Sequence, residues 1–146
     1  MSTPNPASQD IAQILITAGI AVVGATSTQW GISAGSMPDS PNTSIMVTDQ
    51  GGLDANPALG IDDLFIQVLI RSSVDDYQGG MVKAQAIKDI LLGIAKQTVG
   101  GTVYVGITMR GDIISLGPDE RRRYRFSTNW RVWRSPTNTT NRQLMS

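Results

Sequence analysis

The sequence predicts an α+β fold, in which a mainly antiparallel sheet of four to five strands carries two helices on one face. Residues Leu64 to Ile70 alternate at period two and place apolar side chains on both faces, as a central strand does. From about Gly80 to Lys96, apolar side chains recur at three- and four-residue steps, which is typical of an amphipathic helix. A sharper alternation over Arg123 to Trp133 predicts an antiparallel strand late in the chain.

The other elements follow from shorter signals. Ser8 can cap a helix, Asp10 suits its first turn, and Gly19 favours its end, so a helix is expected over about Gln9 to Ala18. The region Ile20 to Ser44 is rich in Gly, Ser and Thr and has the least regular pattern. Further strands are predicted around Trp30 and Ile32, over Ile45 to Asp49, over Val103 to Met109, and briefly over Ile113 to Leu116.

Turn residues separate these elements. Glycine and proline clusters predict a turn at Met37 to Pro41, the end of a strand at Gly51 and Gly52, a loop over Leu53 to Gly60, a polar break over Ser72 to Tyr77, a helix stop at Gly100 and Gly101, and a hairpin turn at Arg110 to Asp112. We expect one domain over residues 1–146, with flexible ends at about 1–7 and 136–146.

The composition argues against several kinds of function. The chain has no cysteine and no histidine, which excludes thiolate chemistry and removes the commonest general base and metal ligand. Two tight acid pairs, Asp62-Asp63 and Asp75-Asp76, match no calcium loop and are interpreted as solvated strand ends rather than a Mg²⁺ or Ca²⁺ site. No stretch reaches the roughly 20 apolar residues of a membrane span, and a secretory signal is not expected. We therefore predict no enzyme, cofactor, metal site or membrane contact.

The charges are unevenly distributed along the chain. The totals balance at 12 basic and 12 acidic residues, yet Arg71 is the only basic residue among the first 76. Such a division suggests self-association or an anionic partner. The alternative is that the fold interleaves the two halves and cancels their charges locally, and the sequence leaves both readings open.

The strongest polar feature is the arginine-rich strand at Arg121 to Arg131. Its arginines could contact phosphates. However, Tyr124, Phe126 and Trp130 alternate with the arginines and are expected in the core, which argues against a platform of rings and cations for single strands. Trp133 lies on the arginine face and suits a protein–protein contact.

The order of these signals resembles the tail terminator (minor capsid) proteins of long-tailed bacteriophages, over roughly Gln9 to Trp133. The resemblance rests on an N-terminal helix ending in Gly19, on Met37-Pro38-Asp39-Ser40-Pro41, on Ile45 to Asp49 followed by Gly51-Gly52, on Ile66 to Arg71, on Tyr77 opening the long helix, on Gly106 to Asp112, and on Leu116 to Asp119 leading to Phe126 to Val132. The run Arg121 to Arg125 is more basic than this family leads us to expect.

The resemblance implies a homohexameric ring that caps the tail tube, ends its polymerisation and forms the joint to the head connector. It implies a virion protein at the head-proximal end of the tail, assembled in the host cytoplasm. The implied partners are further copies of the chain, the tail tube protein, the head connector or neck protein, and DNA passing through the lumen.

We expect a basic group to face either the neighbouring subunit or the DNA lumen, with an acidic group as its partner patch. The basic group is Arg121, Arg122, Arg123, Arg125, Arg131 and Trp133, and the acidic group is Asp62, Asp63, Asp75 and Asp76. Two alternatives remain: a different neck or head-completion protein, and a nucleic-acid-binding module that uses the Arg121 to Arg131 strand.

Overall fold

The structure is a computed structural model, and it describes residues 5–53, 61–94 and 96–135. Most of the predicted flexible ends and of the predicted loop after Leu53 lie outside these ranges. Ala7, which was expected in the N-terminal tail, is instead buried at the start of the first helix.

The described residues form two helices and seven strands. These are α1 (Ala7–Thr17), β1 (Gly31–Ala34), β2 (Ser44–Gly52), β3 (Asp62–Val74), α2 (Tyr77–Leu92), β4 (Gln97–Val99), β5 (Thr102–Met109), β6 (Ile114–Pro118) and β7 (Arg123–Ser135). Neither helix of the described part is long and apolar enough to cross a membrane.

All seven strands belong to one mixed sheet in the order β1-β2-β3-β7-β5-β4, with β6 beside β7. The α+β class and the central strand are confirmed, but the prediction of a four- to five-stranded, mainly antiparallel sheet is only partly correct. β1 and β2 are parallel, because residues 35–43 carry the chain back to the starting end of β1 instead of making a hairpin. β4 was missed because three residues show no periodicity.

The inner face of the sheet holds the core beneath both helices. Ile45, Ile70 and Phe126 lie side by side across the three central strands, and Val47, Val68 and Thr128 form the next row. Helix residues Leu15, Ala84 and Leu91 join the same apolar cluster, and they are almost fully buried, as are Ile66, Trp130 and Val132. The alternation predicted for β7 is therefore confirmed on this face.

Buried polar atoms on the inner face have partners of their own. The Trp130 indole donates to the Thr128 hydroxyl at 2.8 Å, which in turn donates to the Val68 carbonyl at 3.0 Å. At one end of the sheet, the Tyr104 hydroxyl donates to the Asp10 carboxylate at 2.5 Å, and burial raises the pKa of Tyr104. This contact ties α1 to β5 in the core.

Three local boundaries differ from the sequence prediction. Ser8 does not cap α1; it lies inside the helix, where its hydroxyl donates to Asp49 at 2.6 Å, and Pro6 occupies the cap position. β3 continues through Ser72, which is fully buried, so the polar break is shorter than expected. α2 begins at Tyr77, as the resemblance implied and earlier than the periodicity from about Gly80 indicated, because the Asp76 carboxylate accepts from the Gly79 N–H and caps the helix.

The turn at Arg110 to Asp112 does not make a hairpin. β5 and β6 both pair with β7, along the same edge, so they are two parts of one interrupted strand. Gly111 takes the left-handed backbone conformation at this interruption, with φ at 77°.

Candidate functional site: the outer face of the sheet

The predicted arginine-rich face of β7 lies on the outer face of the sheet, opposite the helices. β3 and β7 pair residue for residue, so their alternate side chains share this face. We define the outer face by Met46, Thr48, Phe65, Gln67, Leu69, Arg71, Arg110, Ile114, Arg125, Ser127, Asn129, Arg131 and Trp133.

One cluster of side-chain contacts on the outer face joins β3 and β7. The Arg131 guanidinium donates two hydrogen bonds to Asp63, at 2.8 and 2.5 Å, and the Trp133 indole donates a third at 3.2 Å. The guanidinium also lies 4.8 Å from the centre of the Trp133 ring. Hydrogen bonding from Arg131 holds the pKa of the Asp63 carboxyl below its usual range. Basic and acidic residues thus meet within one chain here.

Arg71 of β3 holds the Met37 to Pro41 segment in place through hydrogen bonds. Its buried guanidinium donates to backbone carbonyl oxygens of residues 38, 39, 41 and 42, at 2.7 to 3.3 Å. These carbonyls lie on the irregular turn that contains the cis Ser40-Pro41 peptide bond. The turn therefore depends on a side chain from the central strand, a role that the sequence analysis did not assign to Arg71.

Arg123 holds the same turn from β7. Its Nε lies 2.8 Å from Asp119 and its Nη2 lies 3.1 Å from Asp39, and only 6 % of its side chain is exposed. The hydrogen bond from Arg123 keeps the pKa of the Asp39 carboxyl lowered. Arg123 is thus a structural residue that joins Asp39 of the turn to β7, and it is not available to a partner.

Arg121 and Arg122 lie at the exposed rim of this corner. Arg121 contacts Asp39 at 2.5 Å and Arg122 contacts Asp75 at 3.5 Å, yet 63 % and 71 % of their side chains remain exposed. Solvent screens such pairs, so both guanidinium groups remain open to a second anion.

The two predicted charge groups are interleaved in the fold. Besides the Asp63 and Asp75 pairs, Asp62 lies 3.9 Å from Arg134, and Asp76 caps α2. The structure therefore favours the reading in which the two halves of the chain cancel their charges locally. Contact of the basic and acidic groups across a subunit interface stays a prediction.

Two arginines on the outer face have no carboxylate partner within the described residues. Arg110 lies over the Phe65 ring, 4.1 Å from its centre. Arg125 has a buried Nε without a hydrogen-bond partner. It lines a depression of about 600 Å³ together with Arg121, Arg123 and the acids Asp39, Asp119 and Glu120. The sequence alone indicates no role for Arg110, because its contact with Phe65 depends on strand register.

The outer face also carries several apolar side chains. Met46, Phe65, Leu69 and Trp133 are half-buried, and Ile114 is 47 % exposed beside them. Apolar side chains mixed with arginine are typical of protein interfaces. Among the described residues, no cluster of three or more potential ligands could hold a metal ion.

A comparison with known protein families adds an independent observation. The profile of the family described as bacteriophage tail terminator protein matches residues 14–132, well over half of the chain. The chain belongs to this family. No curated protein matches the sequence. The resemblance inferred from the order of the sequence signals is thereby confirmed.

Membership of the tail terminator family gives the protein a general role. It is a structural protein of the bacteriophage tail, and hence a component of the virion that interacts with other virion proteins. The matched residues include the Met37 to Pro41 turn, the outer face up to Val132, and the arginine-rich strand.

Proposed function

We propose that this protein forms a homohexameric ring at the head-proximal end of the phage tail. The ring caps the tail tube, stops its polymerisation and makes the joint to the head connector. Its partners are further copies of itself, the tail tube protein and a connector or neck protein. In this proposal the ring is assembled in the host cytoplasm, and DNA passes through its lumen.

The observation that carries the proposal is the open outer face in a member of the tail terminator family. This face combines half-buried apolar residues with Arg110 and Arg125, and the described residues leave it without a covering layer. A ring needs a heterologous contact, in which one surface meets a different surface on the next copy. An uncovered face of this composition supplies one of the two surfaces.

The rim arginines receive a separate role in the proposal. Arg121 and Arg122 face either an acid of the neighbouring subunit or the lumen that conducts DNA. Arg122→Glu reverses a charge without touching the buried Arg123, so it tests this role with little risk to the fold. Weaker ring assembly would place Arg122 at the subunit contact. Unchanged assembly with slower DNA passage would place it at the lumen.

The proposed function is tested with purified tail tube protein. Added at the start of tube assembly, the protein is expected to bind one tube end and halt growth, and electron microscopy would show a ring of six copies there. Tubes that continue to grow at the same rate, with no density at either end, would overturn the capping role. Preferential binding to a connector protein over the tube would favour a neck or head-completion role.

The excess of arginine on the outer face supports a second candidate, a nucleic-acid-binding module. That reading predicts that the isolated protein binds DNA with an affinity that falls steeply as salt increases. Titration of a fluorescent duplex at two salt concentrations distinguishes the two functions. DNA binding that is weak and is seen only at low salt would agree with a lumen that DNA passes through without tight binding. It would count against the nucleic-acid-binding module.

A further inference from the structure

We propose that the outer face of one subunit packs against the exposed side of α2 on the next subunit. This inference rests on the proposed ring and assigns its two contacting surfaces. It adds a third layer to the two-layer domain, in the order helix, sheet, helix, with the last helix supplied by the neighbouring copy. Sheets covered by helices on both faces are a common stable arrangement.

The first observation is the composition of the exposed side of α2. We define the α2 stripe by residues at four- and three-residue steps, which share one side of the helix and are all exposed: Gln78, Val82, Gln85, Asp89 and Leu92. Val82 is 55 % exposed and Leu92 is 48 % exposed. The solvent side of a surface helix is ordinarily polar or charged, so two exposed aliphatic residues on it suggest a covered position.

The second observation is charge. Asp89 is the single charged residue of the α2 stripe, and within the described residues its carboxylate has neither a hydrogen bond nor an ion pair. The two lysines of α2 are engaged elsewhere: Lys88 pairs with Asp112 at 2.9 Å, and Lys83 donates to the Ile20 carbonyl at 3.1 Å. The stripe is therefore mildly acidic, and the outer face, with Arg110 and Arg125, is basic.

The third observation is that the outer face is long enough to hold α2. α2 has 16 residues, which span about 24 Å at the rise of an α-helix. The central strands β3 and β7 each have 13 residues, about 43 Å at the rise of a strand. One helix therefore fits along the outer face, where Phe65 and Leu69 can contact Val82 and Leu92, and Asp89 can reach Arg110 or Arg125. Because the two surfaces differ, the contact is head-to-tail, as a ring requires.

The chain has no cysteine, which allows a clean crosslinking test. The variant Leu69→Cys/Gln85→Cys places one thiol on the outer face and one on the α2 stripe. A bis-maleimide linker of about 10 Å spans the usual distance between packed layers. We expect this variant to give a covalent ladder up to the ring size, and each single-cysteine variant to give little more than background dimer. A control pair, Leu69→Cys/Val23→Cys, uses an exposed residue outside the stripe and is expected to give no ladder.

Native mass spectrometry of the same samples separates the possible failures. A ring with no ladder would overturn the assigned surfaces and leave the ring intact. A ladder on open chains would support the surfaces and overturn the closed ring. A monomer without a ladder, both at high protein concentration and in the presence of tail tubes, would overturn both.

A charge variant provides a second readout. Asp89→Arg is expected to raise the concentration for half-assembly by about tenfold, and adding Arg110→Asp or Arg125→Asp is expected to restore it. The control Val23→Arg adds a positive charge at an exposed position outside both surfaces and should leave assembly unchanged. Assembly of Asp89→Arg at the wild-type concentration would contradict the assignment.

Discussion

The two faces of this sheet are made from the same strands and differ in almost every physical property. On the inner face, Ile66, Ile70 and Trp130 are at most 1 % exposed, and both helices cover them. On the outer face, Phe65, Leu69 and Arg131 alternate with those residues and remain half-buried. One set of side chains on a period-two strand can therefore stabilise the domain, which leaves the other set free for the partner contact proposed above.

The energetic terms on the two faces also differ. Inner-face stability comes mainly from apolar burial, worth about 25 cal/mol for each Å² removed from water. Ion pairs on the outer face, such as Arg131–Asp63, are partly exposed and contribute less to folding. Substitutions on the inner face should therefore reduce folding stability, and most substitutions on the outer face should mainly affect assembly.

The largest expected difference in stability comes from replacing one tryptophan on each face with alanine, in two separate variants. Trp130→Ala removes a fully buried ring and leaves a cavity, so we expect the free energy of unfolding to fall by about 3–5 kcal/mol. Trp133→Ala removes a half-buried ring and should cost about 1 kcal/mol. Denaturant unfolding measures both values. Equal losses of unfolding free energy in the two variants would contradict the proposed difference between the two faces.

Arg71 tests whether burial or the choice of face decides the effect on stability, because it is a buried residue on the outer face. Arg71→Met leaves the carbonyl oxygens of the 38–42 turn without their shared donor, and we expect a loss of about 2–3 kcal/mol. Arg121→Met at the exposed rim is the matched control, expected within about 1 kcal/mol of wild type. Chemical denaturation would show the difference. If Arg71→Met lowered the free energy of unfolding no more than the control does, the 38–42 turn would be stable without hydrogen bonds from Arg71.

The smallest effect concerns the pH dependence of the outer face. Asp63 has a lowered pKa in the folded protein, so its carboxylate stabilises the fold above the unfolded value of about 3.9. That contribution is lost as the pH falls through the lower, folded value. We therefore expect Asp63→Asn to lower the melting temperature slightly at pH 7 and to approach wild type as the pH falls below about 4.

Arg131→Gln supplies the control for this pH experiment, because it removes the donor and keeps the carboxyl group. It should flatten the acid dependence in the same way as Asp63→Asn. Thermal melts from pH 7 to pH 3 measure all three proteins. If Asp63→Asn kept the full acid dependence of wild type, other carboxylates would account for that dependence. Asp119 would be the first of these to test, because its pKa is also lowered although burial opposes the shift.

Periodicity alone predicted the elements whose side chains repeat over long segments. The core side of β7, the central position of β3 and the apolar stripe of α2 follow from local alternation, because burial on one face selects apolar side chains at a constant step. The order of those signals, with the Met37 to Pro41 turn, was also sufficient to identify the family.

Only the tertiary structure decided which charges meet. Arg71 reaches the 38–42 turn across about 30 residues of sequence, and Arg131 reaches Asp63 across 68. Such contacts depend on strand register and on the parallel pairing of β1 with β2, neither of which leaves a local pattern in the chain. For the same reason, the sequence placed Arg125 and Arg131 on one face correctly. It left open which arginines the fold pairs with acids of the same chain and which, like Arg110 and Arg125, have no carboxylate partner among the described residues.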